Sequence, residues 1–226
     1  MSLKKALNRT LKTQIGAYAA WLPGVNKFNV GDYGIISDGI FNSLGNISKP
    51  PFNVDFSTNT GNTSTLNFTS EAVTIIAFEA GVEVPISQLT DSEAEAELKF
   101  KFEKENSLLL KADPISVVEM SDEFNVAQKL GKHPLWKHKR WKVVRGVYSA
   151  NGMTFLGSQS KNTDFSIKGK ASALKKLLDG NVNASFSISR TKDTQLSLVG
   201  EEGNIGLQLF RINKRSQPSA LEAFDK

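Results

Sequence analysis

The sequence predicts an α+β fold: a twisted, mostly antiparallel sheet with an N-terminal basic amphipathic helix and small peripheral helices. Three observations lead there. Ala96, Leu98, Phe100 and Phe102 alternate with Glu95, Glu97, Lys99, Lys101 and Glu103. Val182, Ala184, Phe186 and Ile188 alternate in the same way with Asn183, Ser185, Ser187 and Ser189. This period of two, with one apolar face and one wet face, is what half-buried antiparallel strands require. The first twenty residues instead repeat at the helical period. Few strand–helix–strand spacings occur, which argues against a doubly wound sheet.

The elements follow in order. Ser2 is a candidate cap for a helix from about Leu3 to Ala20. At about 100° per residue, Leu3, Leu7, Leu11, Ile15 and Tyr18 fall within a sector of about 120°, with Lys5, Arg9 and Lys12 opposite. Lys4 sits at the apolar edge, where its stem can snorkel. Trp21-Leu22-Pro23-Gly24 marks the expected end. Asn26–Pro51 is rich in Gly and Asn and reads as turns with short strands at Gly34–Ser37 and Gly39–Leu44; Pro50-Pro51 bars a regular ladder. Asn53–Phe56 is a candidate strand and Ser57–Thr63 a polar loop. Ser64–Thr69 and Ala72–Val84 read as strands, the second bent at Ala80-Gly81.

The first alternating strand occupies Ala94–Glu103. Asp113–Leu130 reads as strand or loop leading into a helix near Glu123–Leu130. Trp141–Tyr148 is a strand, with a hairpin at Asn151-Gly152 toward Met153–Leu156. Thr163–Lys168 is a further strand. Ala171–Leu178 is a short helix with Leu174, Leu177 and Leu178 on one side. The second alternating strand continues, after a turn at Thr191–Thr194, into Leu196 and Leu198, and Gly203–Ile212 closes the sheet. The organisation expected is one domain over residues 1–212 and a mobile tail over 213–226.

The chain has 226 residues, enough for one core without staples. It has no Cys, which excludes disulfides, thiolate catalysis and Cys-based metal sites, and two His exclude a three-His site. No apolar run reaches the ~18–20 residues of a membrane helix, and Met1–Leu22 lacks the core of a signal peptide. Net charge is +5, but unevenly spread. The first 31 residues hold Lys4, Lys5, Arg9, Lys12 and Lys27 and no acid. Phe124–Thr163 adds Lys129, Lys132, Lys137, Lys139, Arg140, Lys142, Arg145 and Lys161, again with no acid. Such clusters attract phosphate, whether of nucleic acid or of anionic lipid, or are simply solvated.

Chemistry-bearing motifs are few. No phosphate-binding glycine loop, zinc-protease or nucleophile-elbow motif occurs. His133 and His138 have no carboxylate on the same run, so exposed loop residues are the default. Glu93, Glu95 and Glu97 share one strand face at ~7 Å, a spacing within the glycosidase range, but they merge into Lys99 and Lys101 and read as a solvated face. No enzyme activity, metal or cofactor is expected. Trp136, His138, Lys139, Arg140 and Trp141 interleave rings with bases. That suits stacking on nucleic acid, anchoring of Trp21, Trp136 and Trp141 at a membrane interface, or plain core packing.

The order of these elements resembles the gasdermin pore-forming domain. Ile15-Gly16-Ala17-Tyr18 with Trp21-Leu22-Pro23 is similar to its amphipathic start and turn. Gly45–Pro51 resembles the linker before its first long hairpin, Asn53–Pro85 that hairpin region and Ala94–Glu103 the returning strand. Trp141–Tyr148 resembles a central strand, and Ala184–Ile188 with Gly203–Ile212 the closing strands. The resemblance implies binding to anionic lipid, assembly into a ring and insertion of amphipathic hairpins as a transmembrane β-barrel that kills the cell. It thus implies a cytoplasmic soluble form and a membrane-bound assembled one.

The implied lipid contacts are Lys4, Lys5, Arg9, Lys12, Lys137, Lys139, Arg140 and Lys142. The implied inserting residues are Leu98, Phe100, Phe102, Val182, Phe186 and Ile188. The closest pattern is that of short microbial or fungal members without a C-terminal inhibitory domain. Roles of such members in innate immunity and allorecognition imply self-assembly or co-assembly with a related variant. Glu95–Glu103 and Asn181–Ser189 are nine residues each, the length at which a barrel strand spans a bilayer. The alternative reading is a β-rich soluble module that binds nucleic acid or a protein partner through its basic patches.

Overall fold

The computed structural model describes residues 2–136, 140–179, 187–190, 195–213 and 215–220. It is α+β, and its strands pair in two antiparallel sheets. Contacts divide the chain into two compact units: residues 1–6, 64–115 and 150–202 form the first, and residues 7–63, 116–149 and 203–226 the second.

The amphipathic start folds as α1, Leu3–Ile15. It begins with the Ala6 N–H donating to the Ser2 carbonyl. It stops well before Ala20, at Gly16, whose φ of +67° is the left-handed conformation that closes helices. The Gly16 N–H donates to the Lys12 carbonyl at 3.1 Å and the Ala17 N–H to the Leu11 carbonyl at 3.3 Å. Tyr18 and Ala19 then form β1, Tyr18–Ala19, opposite Leu207 and Gly206. Tyr18 matches the helical phase by coincidence; its backbone is claimed by a strand remote in sequence.

In the second unit, β2 (Asp32–Ser37) and β3 (Ile40–Asn46) form a hairpin over Asp38 and Gly39, both at positive φ, the turn that matches strand twist. Asn53–Phe56 is not a strand; it is an irregular segment in which the Val54 N–H donates to the Ile47 carbonyl. The polar stretch after it does contain one, β4 (Thr58–Thr60), which pairs with residues 118–120 of β9 (Ser107–Met120). Polar side chains hid this strand, whose residues are all exposed. α2 (Glu123–Lys132) buries Val126, Ala127 and Leu130.

β10 (Lys142–Ser158) and β13 (Gln195–Ile212) place residues in both units. The sheet order here is β1-β13-β10-β2-β3. The expected hairpin at Asn151-Gly152 is absent. Neither residue takes a positive φ, and residues 152–158 are buried on both strand faces, so the chain runs straight on. Likewise Gly203 lies inside one strand rather than starting another. Residues 218–220 of the expected tail form β14 (Pro218–Ala220) against Phe210–Ile212; residues 221–226 lie outside the described part.

In the first unit, β5 (Ser64–Thr69) pairs with β9 from Leu109 to Ile115. β6 (Val73–Glu79) and β7 (Val82–Val84) are two strands, because Ala80 and Gly81 both take positive φ and reverse the chain where a bend was expected. They join β8 (Glu95–Phe102), β11 (Thr163–Lys170) and β12 (Ser187–Arg190) in the order β12-β11-β8-β6-β7. Between β11 and β12 comes α3 (Ala171–Asp179). Its Ala171, Leu174, Leu177 and Leu178 share one core with Val73, Ala77, Leu98, Phe100, Phe102, Phe165 and Ile167.

Candidate functional site

The structure puts the apolar stripe of α1 inside the protein. Leu3, Leu7 and Leu11 are at most 1% exposed, whereas Lys4, Lys5 and Arg9 are exposed. The helix therefore shows charge to its surroundings and keeps its greasy face docked. Lys12 is half-buried, its Nζ 4.1 Å from the centre of the Tyr18 ring; such a contact holds a cation close to the body.

The second basic run is less uniform. Arg140 is exposed, while Lys142 is half-buried in β10 opposite Gly34. Lys137 and Lys139 lie outside the described residues. Trp136 and Trp141 pack edge to face with centroids 5.1 Å apart, and both contact Tyr33 and Phe52. Beneath them lies the core of Ile47, Val126, Leu130, Val143 and Phe210. The two indoles are thus half-buried parts of an aromatic cluster, and stacking on a base would compete with the rings they already touch. Trp21 is half-buried as well, and its carbonyl accepts from the Asn26 side-chain amide.

The third group of residues lies in the five-stranded sheet. Leu98, Phe100 and Phe102 are fully buried, directed with Phe165 and Ile167 toward α3. Register makes this a property of the whole sheet: Phe165, Phe100 and Ile75 form one rung, and Ile167, Leu98 and Ala77 another. The backbone of Ile188 extends the second rung on β12, opposite Ile167. Val182 and Phe186 lie outside the described residues. Burying five large apolar side chains contributes roughly 10 kcal/mol, so this face cannot be turned to water cheaply.

The opposite face is charged in complementary rungs. Asp164 lies opposite Lys101, Lys168 opposite Glu97 and Lys170 opposite Glu95. Lys168 Nζ is 3.7 Å from Glu97 Oε2, and the Ser166 hydroxyl donates to Glu97 Oε1 at 2.7 Å. Lys99 Nζ stands 4.8 Å from the Phe78 ring centre. An open groove of about 980 Å³ runs along this face between Phe78, Glu95 and Lys170. Near one end of it, Lys170 holds the Glu93 carboxyl below its ordinary range through a hydrogen bond and its charge. Of the carboxylates noted in the sequence, Glu93 and Glu97 are thus engaged by neighbouring bases and hydroxyls. No group of three or more metal-ligating side chains occurs among the described residues.

Phe165 and Ile167 lie on the strand expected at Thr163–Lys168, the segment that the gasdermin resemblance also implies as inserting, and alternate with Asp164, Ser166 and Lys168. The polar contacts of Lys111, Lys170 and Lys175 have no signal in the sequence, because each partner is more than 60 residues away. Among the described residues no helix is long and apolar enough to cross a membrane, a statement that leaves strands aside.

No protein-family model and no curated protein matches the chain. Among solved structures it is similar to a bacterial gasdermin from Bradyrhizobium tropiciagri, at 14% identity and a TM-score of 0.40, over 96% of this chain and 90% of that one. It is also similar to the gasdermin A3 membrane pore, at 9% identity and a TM-score of 0.36, over 98% of this chain and 94% of that one.

Proposed function

We propose that this protein permeabilises membranes: it binds anionic lipid, assembles with further copies and inserts amphipathic strands of its five-stranded sheet as part of a β-barrel. The reading rests on one observation above others, the two-faced construction of β8 and β11. Each carries an apolar face that a bilayer core would accept and a polar face that a water-filled lumen would accept. A barrel also satisfies every backbone group by closure, which lipid demands. Lys4, Lys5 and Arg9 supply the attraction to anionic headgroups, with Arg140 as a further contact. Lys12 and Lys142, half-buried, are secondary candidates, and Lys137 and Lys139 stay candidates on sequence alone. Leu98, Phe100, Phe102 and Ile188 would face the acyl chains, together with Val182 and Phe186.

Dye release decides the matter. Vesicles containing about one-third anionic lipid should leak on addition of the protein, and purely zwitterionic vesicles should leak far less. Intact anionic vesicles at micromolar protein, with binding but no change of oligomeric state, would favour instead a soluble module that docks through its basic surface. Cell killing and a trigger for assembly belong to the same proposal and would be tested next, by expression in cells with and without a co-expressed variant.

A further inference from the structure

α3 covers part of the apolar face of the five-stranded sheet, in one core that also holds Leu89, Leu109 and Leu156, and polar contacts tie it down at both ends. At its start, the Ala171 N–H donates to the Ala94 carbonyl at 2.9 Å and the Ser172 N–H to the Ser92 carbonyl at 3.0 Å. These are two of the donors that a helix leaves without an internal partner. Lys170 pairs with Glu93, and Lys175 Nζ lies 2.9 Å from Asp91 Oδ2. The segment that receives these contacts is itself anchored on β6: Glu79 accepts from the Thr90 N–H at 3.1 Å, from the Thr90 hydroxyl and from the Ser92 hydroxyl at 3.0 Å. At the other end, half-buried Lys111 of β9 donates to the Leu178 carbonyl, where a cation complements a helix C-terminus.

We infer that Thr90–Ala94 and Lys111 form a two-ended clasp on α3, and that opening it is the step that frees this helix from the apolar face of the strands. The reason is the difference between water and lipid as surroundings. In water, burial of Leu174, Leu177 and Leu178 holds the helix in place. Against acyl chains that burial counts for little, because lipid tails are as apolar as the core. The polar contacts at the helix ends are what then remains to be broken. Their ion pairs are exposed, with the Glu93 and Asp91 side chains at 73% and 69%. Exposed pairs are weak and screened by salt, which suits a catch that must release. The functional consequence rests on the pore-forming reading; the clasp does not.

Hydrogen exchange of the whole chain without lipid tests the clasp. In D91N/E93Q, amides of Leu174–Asp179 should exchange about 3- to 10-fold faster than in wild type, while those of Val126–Leu130 in α2 stay unchanged. K170Q/K175Q removes the same pairs from the other side and should reproduce the effect. Unchanged exchange in α3, or equal acceleration in both helices, would overturn the clasp. Dye release from anionic vesicles is the second readout: the double variants should leak roughly 2- to 5-fold sooner than wild type. Wild-type protein that never releases dye would defeat the pore-forming reading, while the exchange result would still decide the clasp.

Discussion

Lys111 shows how one side chain reports its surroundings. Burial pushes its ammonium below the ordinary 10.5, and the charge of Asp179 opposes that only in part. Its folded pKa therefore lies below the unfolded one, so the unfolded chain binds more protons between the two values. The burial cost of the charge is present below the folded pKa and is relieved as pH rises toward 10.5. Wild type should thus gain stability relative to K111M as pH climbs to about 10.5, measured by urea unfolding at a series of pH values. A difference independent of pH would mean that Lys111 acts through packing alone. Nothing in the sequence marks this lysine. It sits in Leu108–Ala112, where only the fold brings the Leu178 carbonyl within reach.

Elements were legible where their pattern was set by their own residues. β5, β8, α2, β11 and α3 lie where periodicity places them, because each has one face to bury. Element ends and joints were less so. Asn-Gly is a hairpin signal only when the backbone reverses, and in β10 neighbours on both faces keep it extended. The β2–β3 hairpin offers a test at this scale. The register shifts between Tyr33 and Gly34, and a Cβ on Gly34 would lie 2.0 Å from the Asn42 backbone oxygen. Backbone cannot swing aside as a side chain can. Gly34→Ala should therefore cost about 3 kcal/mol, read as a lower denaturation midpoint; a loss within 0.5 kcal/mol, the usual effect of a surface change, would show that the hairpin re-registers freely.

For the whole molecule, the uneven charge matters more than its sum. Lys4, Lys5 and Arg9 are exposed on a helix whose apolar side is already docked, so attraction to a membrane should come from charge alone. Replacing all three by Gln should weaken sedimentation with anionic vesicles by about 100-fold, at roughly 1 kcal/mol for each lost cation. The far-UV circular dichroism should not change. Raising salt from 0.1 to 0.5 M should weaken the wild type in the same direction. Binding that ignores both changes would move the contact to another surface.

Sequence by itself determined the elements with a private rhythm: the basic first helix, the alternating strands and the helix with leucines on one side. It determined them because a residue's burial preference repeats with its own element's period. It also marked where positive charge is concentrated. Only the tertiary structure decided that the stripe of α1 is docked, that Trp136 and Trp141 join an aromatic cluster, and that Leu98, Phe100 and Phe102 lie under α3. Periodicity says that a face will be covered; what covers it depends on residues far along the chain, such as Leu174, which shares the core of Leu98.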